Sequence, residues 1–598
     1  MEPKTLSELF YRSVDTQKKS AHLRVKQGGA WRDISSDEFR RAVEELSMGL
    51  RGLGLERGDR TAILSENRPE WAYADLATLL AAAIDAPIYA SLTPAQIVYI
   101  LNDCGAKILF VSSAAQAAKI AEIRARATHL QHVIAMDPLS GPGLLTMDAV
   151  REQGRQALQA DPGAVRQRAA EAQPGDVATL IYTSGTTGDP KGVMLTHDNL
   201  VSNVIAGAKV FQDFNRDDVA LSFLPLCHIF ERMGGHYLML YAGTTIAYAE
   251  SVEKVPQNMM EVRPTLMFSV PRLYEKIYAR VHEKVATDPP IRQKIFRWGL
   301  GVGRETFGHV VAGTKPGLLL KLKHVVADAL VLSKVRERTG GRLRLFVSGG
   351  APLGREIAEF FGALGLVILE GYGLTETSPV VTVNRPKSVR PGSVGAAVEG
   401  VEIKIAEDGE ILTRGRHVMK GYYNKPEATA EAIDKEGWFH TGDIGALAKD
   451  GFLTITDRKK DILVTSGGKN IAPQPIENLI KANIFVAEIV MVGNQRNYPS
   501  ALLVPNFPSL ELWAKEKQLP FASRDELVAR PEVQQHYKEI LDAVGTTLAQ
   551  FEKIKRFALL TREFTIEAGE LTPTLKVKRR VVEQKYKDVV DGLYKGAA

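Results

Sequence analysis

Short β-prone apolar runs alternate with amphipathic helical patterns along the N-terminal half of this chain, and that rhythm limits the fold more than any other feature. Helical spacing is read at 6–14 and 36–53, then at 71–83 and 94–102; strand-like runs lie between and after them at 61–65, 87–90 and 107–111. The same alternation returns further on: helix 200–211, strand 219–223, helix 228–241, then strands 245–248 and 266–269. Strands that alternate with helices pack as a layered α/β structure with a largely parallel sheet, because each helix is the crossover that brings the next strand back alongside. Two similar α/β lobes are expected, the sheets of each mostly parallel.

At 598 residues, 45% of them hydrophobic, the chain is too long for one core and has ample material for several. The formal charge of +6 gives no support to a nucleic-acid partner. Cys104 and Cys227 are the only cysteines, and their spacing suits neither zinc nor a disulfide framework. The first residues lack the apolar core of a signal peptide, and the most hydrophobic run, 76–92, is broken by Asp85 and Pro87. A cytoplasmic protein is the expectation.

Between two extended segments runs Tyr182-Thr-Ser-Gly-Thr-Thr-Gly-Asp-Pro-Lys-Gly-Val-Met-Leu-Thr-His197, a strand–loop–strand pattern. Gly185 and Gly188 let the backbone approach a ligand, while Thr183, Ser184, Thr186 and Thr187 offer hydroxyls and Lys191 a charge, a composition suited to phosphate. A Walker A loop would place its lysine directly after the last glycine and before a helix; this one does neither. The stretch resembles the adenylate-forming superfamily of acyl-CoA synthetases, luciferases and peptide-synthetase adenylation domains, in which this loop grips the triphosphate of ATP.

Further segments carry the same resemblance in the same order. Ser348-Gly349-Gly350-Ala351-Pro352 and Glu370-Gly371-Tyr372-Gly373-Leu374-Thr375-Glu376-Thr377 both follow strand-like runs, where open α/β sheets bind ligands. The resemblance implies that the first borders adenine and that Tyr372 stacks on it. It also implies Mg²⁺ on Glu376, with Thr183 beside it, and Thr186 among the groups acting on the phosphates. The segment 436–460, containing Thr441-Gly442-Asp443 and Asp457-Arg458-Lys459-Lys460, is similar to the signature stretch of long-chain fatty acyl-CoA synthetases. Asp443 can accept hydrogen bonds from both ribose hydroxyls and Arg458 can pair with ribose or phosphate oxygens. Near the end, Gly569-Glu-Leu-Thr-Pro-Thr-Leu-Lys-Val-Lys-Arg-Arg580 resembles the motif whose lysine, here Lys576, reaches ATP and the substrate carboxylate; taken alone it is a basic tail.

The implied organisation is an N-terminal adenylate-forming domain over 1–459 and a small mobile α/β domain over 460–598, hinged at Lys460. In that mobile domain Gly467, Gly468 and Lys469 form the loop expected on the coenzyme A side. His228 matches a position near the acyl carbonyl, though a buried structural histidine fits the residue as well. The acyl channel is expected along 228–240 and 267–274, where Gly234 and Gly235 would leave room for the tail, or else serve close helix packing. Between 272 and 344 the chain carries 16 Lys/Arg against 6 Asp/Glu. A basic amphipathic helix there would contact an anionic membrane; a solvated helix face is the alternative.

Activation of a long-chain fatty acid by ATP and its transfer to coenzyme A is the leading expectation, with ATP, Mg²⁺ and coenzyme A required. Ligases for medium-chain, aromatic or polyketide-like acids, an acyl-AMP ligase loading a carrier protein, and a non-catalytic lipid or nucleotide binder remain open alternatives.

Overall fold

The computed structural model describes residues 2–183, 190–566, 568–572 and 576–595. The loop residues Ser184, Gly185, Thr186, Thr187 and Gly188, to which phosphate binding is ascribed, lie outside the described residues.

Two large sheets form the N-terminal part. The first has eight strands in the spatial order 421–422, 191–196, 177–183, 84–88, 60–64, 108–111, 132–135 and 144–146. Its strands from 177–183 to 144–146 are parallel to one another, and 191–196 pairs antiparallel with 177–183, Lys191 opposite Thr183. The second has nine strands in the order 396–397, 380–383, 367–373, 345–348, 266–269, 219–222, 245–248, 23–27 and 30–34. Helices lie between the sheets, and one apolar core runs through both lobes, joining Phe10, Phe39, Trp71, Leu200 and Leu238 to Phe346 and Phe361.

Local chemistry sets the helix limits. Pro94–Cys104 starts with Pro94 at its first turn, is capped by Thr93 with Gln96 bonded back to it, and stops at Gly105, φ 63°. Pro69–Leu80 buries every residue except Glu70, as a helix sandwiched between two sheets must. Asp75 lies in the middle of it.

The segment expected as one helix over 228–241 differs in kind. It contains a π-helix, Glu231–Tyr237, followed by an α-helix, Leu238–Ala242. Its i→i+5 turn is wider than an α-turn, a distortion frequent at functional sites. The sequence reading also passed over a third sheet: Val401–Ile405, Glu410–Gly415, Phe439–Leu447 and Leu453–Arg458 form four antiparallel strands.

Beyond Arg458 the chain forms a separate small α/β unit. Its three-stranded sheet (Val486–Val492, Ser500–Pro505, Arg556–Leu559) and helices Pro473–Lys481, Phe507–Glu516 and Pro531–Gly545 enclose their own core, with Ile480, Met491, Leu503, Leu510 and Tyr537.

Candidate active site

The ends of three strands and one residue of the C-terminal unit converge on a single place. Strand Leu345–Ser348 runs out into Gly349, Gly350 and Ala351; Gly350 has φ +84°, and a Cβ on Gly349 would lie 2.9 Å from the ring of Phe230. A side chain at Gly349 would press on Phe230, and one at Gly350 would be strained by its positive φ. Strand Val367–Gly373 brings Glu370, Gly371 and Tyr372, and a 3₁₀ turn, Thr375–Thr377, presents Thr375 and Glu376.

Asp443 and Arg458 sit opposite each other on neighbouring antiparallel strands. The Asp443 carboxylate, 4% exposed, accepts from the Tyr372 hydroxyl at 2.7 Å through Oδ2 and pairs with Arg458 Nε at 3.1 Å through Oδ1. Each oxygen keeps a lone pair, so a carboxylate fixed from two sides can still take two ligand hydroxyls. Glu370 is nearly buried; burial pushes its carboxyl up to about 8, against the opposing pull of the backbone N–H groups of Gly392 and Leu353.

Glu376 Oε1 accepts from the Tyr422 hydroxyl at 2.9 Å, and its main-chain oxygen accepts from Met419 N–H. Burial raises its pKa, with the Tyr422 hydrogen bond and Arg458 opposing. Lys191 Nζ stands 4.9 Å from the centre of the Tyr422 ring, a cation–π contact. Tyr422 thus links the cation that follows the phosphate loop to the acidic residue of the opposite wall. The sequence reading did not single it out, because its strand, Gly421–Tyr422, is two residues long and pairs with 191–196 only in the folded chain.

Lys576 arrives from the far end of the chain. Its Cε lies 3.8 Å from where a Cβ on Gly350 would stand. Burial, reinforced by Arg458 and opposed by Asp443, pushes its amine down to about 8. The C-terminal unit is held in this orientation by contacts with helix Pro271–Ala286. Arg272 donates to Ala487 O at 2.5 Å and pairs with Glu488 at 3.2 Å, Lys481 bridges Glu275 and Glu488, and Ser509 donates to Glu283.

His228 Nδ1 accepts from the Phe230 N–H at 3.2 Å. Burial, with Lys576 nearby, pushes the imidazole down to about 3, so it is neutral and its proton sits on Nε2 as a donor.

The geometry differs from expectation at two glycines. A Cβ on Gly234 would lie 2.5 Å from the Phe268 ring, and one on Gly235 would lie 2.4 Å from the Glu231 carboxylate. The room beside them is filled by those side chains rather than left for an acyl tail. Gly467, Gly468 and Lys469 form an exposed turn between strands Leu463–Val464 and Asn470–Ile471, while Lys460 is exposed between the third sheet and the C-terminal unit.

The assembly brings together an aromatic ring, a carboxylate fixed from two sides, the cations Arg458 and Lys576, and the buried Glu376 carboxyl. Mg²⁺ takes one or two carboxylates and completes its shell with phosphate oxygens and water, which Glu376 and the hydroxyl of Thr183 fit.

Comparison with known proteins gives the family. Residues 10–423 match the model of the AMP-binding enzyme family, and 460–598 that of the AMP-binding enzyme C-terminal domain. The long-chain-fatty-acid–CoA ligase FadD15 of Mycobacterium bovis is 36% identical over 569 residues, covering 95% of this chain and 93% of its own. Human long-chain-fatty-acid–CoA ligase ACSBG1 is 33% identical over 627 residues, covering 99% and 85%. Among solved structures, the anthranilate CoA ligase AuaEII in complex with anthranoyl-AMP superposes with a TM-score of 0.76 at 20% identity, covering 98% of both chains. ATP-bound MatB from Rhodopseudomonas palustris gives 0.68 at 24%, covering 98% and 99%. With both parts of its length matched by the family's models and relatives of 33–36% identity along nearly all of it, the chain belongs to the AMP-binding, adenylate-forming enzymes.

Proposed function

We propose that this protein is an ATP-dependent long-chain fatty acid:CoA ligase. The observation that carries the reading is the convergence of Lys576 with the Tyr372–Asp443–Arg458 group over Gly350. A carboxylate is a poor acyl donor because oxide would have to leave. Its oxygen therefore attacks the α-phosphorus of ATP, the bond to pyrophosphate breaks, and acyl-AMP forms. The thiol of coenzyme A then attacks the acyl carbon, its proton passes to solvent, and AMP departs.

Two anions must meet in the first step. The protonated Lys576 neutralises the α-phosphate, the phosphate loop with Lys191 holds the β- and γ-phosphates, Asp443 orients the ribose and Tyr372 stacks on adenine. Glu376 would hold Mg²⁺, which would supply charge neutralisation on the phosphates. His228 Nε2–H donates to the acyl carboxylate. For the second step the C-terminal domain, 460–598, swings about Lys460 and brings the 467–469 loop to the site; such hinge rotations are a common form of gating.

A peripheral contact with anionic membrane belongs to the same reading. Helix Leu318–Ala327 exposes Leu318, Leu319, Leu322 and Val325, each more than half accessible, beside Lys321 and Lys323. Among the described residues no helix is long and apolar enough to cross a membrane. Lipid vesicles containing phosphatidylglycerol should pull down the protein and release the Leu319→Glu/Leu322→Glu variant; equal binding of both refutes this contact.

Incubation with ATP, Mg²⁺, coenzyme A and straight-chain acids from C8 to C20 should give AMP and acyl-CoA, fastest with long acids. A preference for aromatic or medium-chain acids would move the assignment to those ligases, acyl-AMP without thioester to a carrier-loading ligase, and no turnover to a binding protein.

A further inference from the structure

The loop that carries His228 belongs to the second lobe but is gripped on both sides by residues of the first. Upstream, Asn67, from the turn after strand Arg60–Leu64, donates through Nδ2 to Leu224 O at 2.6 Å and to Ser222 Oγ at 3.2 Å, and accepts through Oδ1 from Leu226 N–H at 3.0 Å. Downstream, the guanidinium of Arg232, fully buried, donates to Asp75 at 2.5 Å, to Asp85 at 2.8 Å and to Thr179 at 2.8 Å. Asp75 belongs to the helix packed between the sheets, and Asp85 and Thr179 to neighbouring strands of the first sheet.

Both grips end on the backbone of the histidine itself. Arg232 N–H donates to His228 O at 3.1 Å, and His228 N–H donates to Pro225 O, in the turn that Asn67 spans. Arg232 lies in the π-helix that begins at Glu231, and its side chain reaches the first lobe while Phe230 N–H holds His228 Nδ1. A buried cation facing two buried carboxylates is a costly way to join two lobes that already share an apolar core, and such groups are retained in some proteins to fix one arrangement.

We propose that Asn67 and Arg232, with Asp75 and Asp85 behind Arg232, are positioning residues for His228. They fix the height of its Nε2–H over the acyl carboxylate in the first half-reaction. The inference rests on the ligase reading and on the donor role given there to His228.

A double-mutant cycle tests it. Acyl-AMP formation is measured as pyrophosphate release in a single turnover for wild type, Asn67→Ala, His228→Ala and the double variant, alongside ATP affinity and melting temperature. Asn67 is half-buried, so its variant removes the three hydrogen bonds to Ser222, Leu224 and Leu226 without uncovering a charge. The expected result is a loss of about tenfold in kcat/KM for the acid in each single variant, unchanged ATP affinity, and a double variant within about twofold of His228→Ala. Losses that multiply in the double variant would show that Asn67 acts on stability or on another group, and would overturn the proposal. A His228→Ala enzyme as fast as wild type would overturn it too, while leaving the ligase reading intact. A wild-type protein that releases no pyrophosphate with any acid would remove both. If Asn67→Ala does not fold, Asn67→Asp, which keeps the acceptor for Leu226 and loses the donor to Leu224, goes through the same cycle.

Discussion

Single residues at the site divide into those whose role follows from their own chemistry and those whose role depends on a neighbour. Glu376 was picked out as a hard oxygen ligand in a loop motif, but its orientation comes from Tyr422, which no motif marked. Glu376→Ala should cut acyl-AMP formation roughly 10²-fold, with an unchanged melting temperature, whereas Tyr422→Phe should raise the Mg²⁺ requirement and leave the rate at saturating metal close to wild type. Titrating pyrophosphate release against Mg²⁺ separates the two. Lys576→Ala should lower acyl-AMP formation by about 10²–10³-fold and leave transfer from supplied acyl-AMP to coenzyme A largely intact. The Lys576 amine is lowered to about 8 and must be protonated to neutralise phosphate, so kcat/KM for ATP in the first half-reaction should fall as pH rises through about 8. A flat profile from pH 7 to 9 would detach Lys576 from that step.

At the scale of elements, periodicity located most helices and strands of the two lobes, and strands Thr245–Tyr248 and Leu266–Ser269 fall where the pattern put them. It could not distinguish the π-helix Glu231–Tyr237 from an α-helix, since both place apolar residues on a buried face, and the partners of this segment, Asp75, Asp85 and Phe268, lie far away in sequence. Gly235→Ala would press a methyl onto the Glu231 carboxylate and should cost about 1–3 kcal/mol, read as a lower midpoint in urea. Burial pushes the Glu231 carboxyl up to about 8, and the Ser222 hydroxyl opposes this only in part. A folded pKa above the unfolded value contributes stability that is present below the unfolded pKa and lost as pH rises through about 8. Glu231→Gln, neutral at every pH, should therefore gain in melting temperature on wild type between pH 6 and 9; parallel curves would mean that the carboxyl is charged in the folded protein.

For the molecule as a whole, the decisive contacts lie between the C-terminal unit and helix Pro271–Ala286, since they hold Lys576 over Gly350 and leave the 467–469 loop exposed. Lys481 lies between Glu275 and Glu488, and its side chain is 19% exposed, so removing its charge leaves two carboxylates facing each other with Arg272 alone between them. Lys481→Met should shift the domain away from this orientation, slowing acyl-AMP formation by roughly tenfold, a coupling of about 1.4 kcal/mol, without slowing thioester formation from supplied acyl-AMP. Equal slowing of both half-reactions would mean that these ion pairs hold the fold together and do not select an orientation.

The sequence by itself determined the α/β class and the order of the motifs, and it named the groups proposed to meet nucleotide. Each of these depends on local chemistry: periodicity for the strands, glycines where backbone must face ligand, and carboxylate, amine and phenol at fixed places in short loops. Tertiary structure alone decided how those groups are oriented. That Asp443 is held by Tyr372 and Arg458, that Lys576 reaches Gly350, and that His228 is gripped from the other lobe by Asn67 and Arg232 all depend on residues tens to hundreds of positions apart. Such pairings leave no local pattern, because a hydrogen bond across two lobes constrains only the distance between its ends in the folded chain.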